Sequence, residues 1–215
     1  MKSRILITVI ISCLSTTVLA DPLPSGRVAD WGGGTAEIMT YGHDSPIGRI
    51  LEDGTVTFDL PTPAARGQTV AATFDRCHAG GLVVNNGEAE VSATMLYVER
   101  KGVELGLVAA TSPELAAWTL SFGESPMVKG AHLRWLYVDG DASVNGECVQ
   151  EMLTPAGDLE FRSESKLVLV DGWNLIRTEF VDVVEYEDGS RYETHTVHDA
   201  LQVFPDDAQW YLETL

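Results

Sequence analysis

The chain has 215 residues, with 32 acidic against 14 basic side chains and a hydrophobic fraction of 45%. That hydrophobic content excludes a disordered chain, and the length is enough to bury a core as one large domain or two small ones. The formal charge of −18 excludes the basic surface on which nucleic-acid binding rests, and it sets the chain against anionic membranes.

The first segment reads as an address. Lys2 and Arg4 precede an apolar run from Ile5 to Ile11, the segment closes at Val18-Leu19-Ala20, and Asp21-Pro22 follows. A basic start, an apolar middle and a small-residue exit form the secretory pattern. Residues 1–20 are therefore predicted to be a removable signal peptide, and the mature chain to be periplasmic or extracellular. Ser12, Ser15, Thr16 and Thr17 interrupt the run, which falls short of the ~20 apolar residues of a spanning helix. No transmembrane anchor is expected in the mature chain. Ile10-Ile11-Ser12-Cys13 offers the alternative of a lipoprotein anchored through Cys13. Loss of Lys2 and Arg4 leaves 12 of the 14 basic residues against all 32 acidic ones, a mature net charge of −20. Such a surface serves solubility, and it also suits a cation or a basic protein as partner.

Beyond the signal the pattern is strand after strand. Residues 35–41 and 47–51 lead into Glu52-Asp53-Gly54, and 55–60 follow with Val56, Phe58 and Leu60 on one face. Period-2 alternation beside an Asp-Gly turn predicts a β-hairpin, ended by Pro61 and Pro63. Strands are predicted at 69–74, 82–85 and 90–98, with Asn85-Asn86-Gly87 turning between the last two. Residues 103–110 are expected to pair back on 93–99 across Arg100-Lys101-Gly102. Ser112-Pro113-Glu114 combines a serine cap, a proline in the first turn and an early acid, and predicts a short helix through Trp118. The loop from Gly123 to Gly130 divides the chain into regions 21–125 and 126–215, unless 21–215 is one continuous domain. Strands at 132–138, 142–152, 159–170, 173–185 and 191–203 come next, and Pro205 to Leu212 reads as a terminal helical turn. The fold class is all-β: an antiparallel β-sandwich, or two packed antiparallel sheets, with one or two short helices.

Two stretches carry a resemblance. The phrase from Ile47 through Glu52-Asp53-Gly54 to Leu60-Pro61 resembles the strand–turn–strand of carboxypeptidase-regulatory-like and transthyretin-like β-sandwiches. Leu133 to Asp139, Val144 to Cys148 and Gly172-Trp173-Asn174 together resemble exported bacterial β-proteins of unassigned function. The resemblance implies a sandwich serving an accessory, adhesive or stalk-like role, by analogy of fold, and it implies no chemistry.

Of Cys13, Cys77 and Cys148, export removes the first and leaves a pair in an oxidising compartment. A Cys77–Cys148 disulfide is predicted; it closes a loop of about 70 residues, worth roughly 4 kcal/mol in the chain-entropy model. The alternative is a reactive Cys77 beside His78, but neighbours on a strand point to opposite faces. His195 and His198 also fall on opposite faces, a spacing that suits no metal pair. Asp139, Asp141, Ser143 and Asn145 set oxygen-bearing side chains at alternate positions, as a calcium loop begins. Val144 stands where an EF-hand needs glycine, so what is left is an irregular Ca2+ site or a plain acidic turn.

No Gly-x-Ser-x-Gly elbow occurs, and Gly32-Gly33-Gly34 is not followed by Lys-Ser or Lys-Thr. The abundant acids permit a glycosidase pair without singling one out. Trp31, Trp118, Trp135, Trp173 and Trp210 suit either core packing or a carbohydrate platform. No catalytic or cofactor-binding residue is assigned. The expectation is a non-enzymatic exported β-sandwich module with a binding or structural role in the cell envelope. The alternatives are a secreted carbohydrate-active hydrolase and a calcium-stabilised adhesion or stalk domain.

Overall fold

The computed structural model describes residues 26–41, 43–63, 67–74, 79–154 and 157–214. The signal segment, Cys13, Cys77 and His78 lie outside them. Strands β1 (Gly26–Arg27), β2 (Ala36–Thr40), β3 (Gly48–Ile50) and β4 (Thr55–Phe58) form an antiparallel meander. Its tight turn is built by Asp53, whose carboxylate accepts from the Thr55 amide and hydroxyl, both at 3.0 Å. Gly54 follows at φ 84°, where the backbone passes under Trp31.

The middle of the chain departs from the predicted pattern. Residues 69–74 divide into β5 (Gln68–Thr69) and helix α1 (Val70–Phe74). The Thr69 hydroxyl accepts from the Ala72 amide at 3.1 Å, an N-cap ahead of two alanines. Then come β6 (Ala79–Gly80) and β7 (Val83–Asn85). The predicted 90–98 strand is two strands, β8 (Glu90–Ala93) and β9 (Leu96–Arg100), separated by Thr94-Met95. β10 (Val103–Ala110) pairs with β9 across Lys101 and Gly102, which take φ 55° and 76°, the left-handed pair of a tight hairpin turn. Helix α2 (Pro113–Leu120) is capped by the Ser112 hydroxyl as expected.

The second half holds the long strands β11 (Gly130–Val138), β12 (Ala142–Thr154), β13 (Gly157–Leu169), β14 (Gly172–Glu185) and β15 (Arg191–Leu201), then β16 (Gln209–Thr214). The last replaces the predicted helical turn. It runs along β10, placing Trp210 opposite Ala109, because an open strand edge offers those backbone groups a full ladder.

The described residues are thus all-β with two short helices. Its strands join one hydrogen-bonded network in the order β1-β4-β3-β2-β9-β10-β11-β14-β15-β13-β12-β6. The named pairings are antiparallel except β13 with β15. β15 enters between β14 and β13, so the Asp171-Gly172 connection closes no hairpin. Asn174 shapes that connection, exchanging hydrogen bonds of 3.0 and 2.9 Å with the Val170 amide and carbonyl. Ladders β8–β11, β10–β11 and β10–β16 cross residue 125.

Strands β11 and β14 are buried on both faces. Leu133, Trp135 and Leu175 face a core with Ile38, Val98, Leu107 and Trp210. Leu136, Val138 and Ile176 face a second core with Val91, Val144 and Leu167. Helix α2 covers a third cluster, setting Leu115, Ala116 and Leu120 on Val108, Ala110 and Phe180. Among the described residues no helix is long and apolar enough to cross a membrane.

Candidate functional site

The division of β8 from β9 leaves a gap in the sheet. β10 meets β11 only at Ala109–Leu133 and Ala110–His132, whereas β8 meets it at Leu136, Tyr137 and Val138. Between these ladders, Arg134 and Trp135 face no strand on that edge. Thr94-Met95 crosses the gap, held where the Thr94 and Thr40 hydroxyls hydrogen-bond.

A cavity of about 240 Å3 opens at this seam. Met95, Leu96, Leu107, Val108, Leu120 and Trp135 supply its apolar wall, and His132 and Arg134 are its titratable lining residues. Two further cavities, of about 400 and 520 Å3, share Ser92 and Ala93; the larger reaches the other side of Arg134. No carboxylate lines any of the three among the described residues. Acids such as Glu37, Glu99 and Asp59 line two other depressions, around Arg49.

Arg134 is partly buried, and its Nε is wholly so without a hydrogen-bond partner among the described residues. Burial pulls its pKa below the usual arginine value, and no carboxylate opposes that shift. Beside it, register aligns a polar row across four strands: His132 opposite Thr178, Thr178 opposite His198, and His198 opposite Ser165. The Thr178 hydroxyl and His198 Nδ1 lie 3.1 Å apart, and His132 stacks on Phe180. His132 is pushed down to about 4 by burial first, then by the charge of Arg134 and by His198. His198 is also pushed down to about 4, by burial and then Arg134. Both rings are neutral at pH 7, which leaves one formal positive charge at the seam.

Other donors there are equally short of acceptors. Trp135 and Trp210 line the cavity, and their indole N–H groups are buried away from it without a partner among the described residues. The rim is apolar. Phe122, just past α2, is 78% exposed and takes φ 54°, a left-handed conformation costly for a bulky side chain.

The residues singled out from sequence fall elsewhere. Asp139 accepts from the Glu90 amide at 2.7 Å, Asp141 from the Asp171 amide at 2.9 Å, and Ser143 from the Asn85 side chain at 2.9 Å. Asn145 sits within β12, opposite Val83 and Lys166. These oxygens fasten the β11–β12 turn to neighbouring connections. Among the described residues, no group of three or more His, Cys, Asp and Glu is placed to hold a metal ion. His195 lies 3.1 Å from Glu164 on the face opposite His198. Trp135 and Trp210 pack on Phe58, Trp118 on Phe180, Trp173 on Tyr137, and Trp31 lies under the Arg100 guanidinium. Trp31, Trp135, Trp173 and Trp210 belong to or pack against one core, and Trp118 packs on the cluster under α2, so their rings serve packing.

The polar row escaped the sequence reading because it needs β15 between β14 and β13. One signal was legible. His132 and Arg134 share a strand face with Leu136 and Val138, so that face starts polar and continues into core.

No protein-family model, curated protein or solved structure matches the chain.

Proposed function

We propose that the mature chain is a non-enzymatic, exported binding module that takes a small molecule at the seam beside Arg134. The observation that carries this reading is Arg134 itself, a partly buried cation lining a cavity with no carboxylate partner among the described residues. A buried charge stripped of its partner costs about 3–5 kcal/mol, so retaining one calls for a compensating acceptor. A ligand supplying an oxygen acceptor to the Arg134 guanidinium does that. Among the described residues no carboxylate lines this cavity, which favours a binding role there over a hydrolase's acidic pair.

Titrating the mature protein with small anions, sugars and neutral apolar compounds, while following tryptophan fluorescence and melting, tests this. Trp135 and Trp210 report directly because they line the cavity. A saturable change with a raised Tm is expected. Turnover of glycosides that disappears when an acidic pair is replaced establishes the hydrolase instead.

Export and the disulfide belong to the same reading. Support for a Cys77–Cys148 bond comes from the β12 register, which sets Cys148 opposite Gly80, three residues beyond Cys77. Gly146 tightens this corner, since a Cβ there would meet the Gly81 carbonyl oxygen at 2.1 Å. Intact mass should rise by two hydrogen atoms on reduction; an unchanged mass removes the bond.

A further inference from the structure

We infer that the ligand of the seam is a small amphiphilic monocarboxylate, its carboxylate on Arg134 and its aliphatic body against the apolar wall of the 240 Å3 cavity. This rests on the binding reading above and narrows it to one chemical class.

The head follows from charge and shape. Among the described residues Arg134 is the one formal cation lining the cavity, and the neighbouring histidines are neutral at pH 7. One positive charge matches a monoanion better than a phosphate dianion or a tricarboxylate, which would bury surplus negative charge. A guanidinium presents a planar fork of donors that fits a carboxylate with two parallel hydrogen bonds.

The body follows from the wall. Met95, Leu96, Leu107, Val108 and Leu120 offer nothing to the hydroxyls of a sugar. At about 30 Å3 for each water-sized group, the cavity holds about eight non-hydrogen atoms. That is a six-carbon monocarboxylate with its two oxygens counted; in octanoate the last two carbons extend to the apolar rim. The exposed Phe122 and half-exposed Met95 give this chain an apolar threshold to cross.

The probe is octanoate, titrated calorimetrically into the full mature protein at pH 7, with octanol, octylammonium and acetate as comparators. Octanoate should bind one to one, at least tenfold more tightly than any of the three. Arg134→Gln should remove that preference for octanoate over octanol. Met95→Trp, placed at the half-exposed rim where folding tolerates it, should block octanoate while leaving the melting curve unchanged. If octanol binds as tightly as octanoate and Arg134→Gln changes neither, the carboxylate inference is overturned while the binding reading stands. Equal binding of octylammonium overturns it in the same way. If none of the four binds, this inference fails; if the wider fluorescence panel is also silent, the binding reading fails with it.

Discussion

Replacing Arg134 with methionine should stabilise the ligand-free protein, which is the reverse of what most substitutions at a partly buried position do. Methionine is unbranched and of similar reach, so it fills the arginine stem's path between the cavities while removing the charge. Two structural terms set the magnitude. Among the described residues, the Nε of Arg134 is buried without a partner, and no carboxylate lines the surrounding cavities. Exchanging buried ionic groups for apolar ones of similar volume typically gains 1–4 kcal/mol. Because Arg134 retains some exposure, about 1–2 kcal/mol is expected, a Tm increase of roughly 2–8 °C for a chain of this size. Thermal melts of the mature protein at pH 7, followed by circular dichroism without added ligand, measure it. The histidine ring signals should titrate at higher pH in the variant, while staying below the ordinary value because burial remains their first cause. A Tm several degrees lower would refute the reasoning, since it would mean that Arg134 braces the fold.

The buried histidines make stability depend on pH. With folded pKa values of about 4 against an ordinary 6.5, the unfolded chain binds more protons between those limits. Stability is therefore full above pH 6.5 and falls as pH drops towards 4, by roughly 3 kcal/mol for each ring. Urea melts at pH 7, 5.5 and 4.5 check this, and His198→Gln should flatten the slope. Carboxylates held low, such as Asp207 by Arg177, contribute in a separate window below about 4. Trp210→Ala should cost about 3–5 kcal/mol in urea denaturation, because the ring is 1% exposed and packs on Phe58 and Phe204. Calcium and chelator should both leave the melting temperature unchanged, because Asp139, Asp141 and Ser143 already accept hydrogen bonds within the fold; a calcium-dependent rise would return the adhesion-domain alternative.

Local chemistry was legible wherever neighbours in sequence settle the geometry. The Asp53-Gly54 and Lys101-Gly102 turns, the Ser112 cap and the alternating faces of 55–60 are of this kind, since each rests on φ preference or a hydrogen bond across a few residues. The period-2 pattern accordingly shows that the chain is built from strands. The elements misread were those with a distant partner: Val70–Phe74 docked by its first amides on Ala89 and Gly87, and Gln209–Thr214 drawn out along β10.

The candidate site is wholly of that second kind. From sequence alone come an acidic, strand-rich chain with an export pattern and a cysteine pair to follow it. Which side chains would share a site was decided by pairing. β11 exchanges β10 for β8 at Arg134, and β15 slips between β14 and β13 to set His198 beside Thr178 and His132. Strand periodicity tells which residues share a face, but it does not tell which strand lies alongside. That choice depends on matching edges and on buried surface contributed from the whole chain.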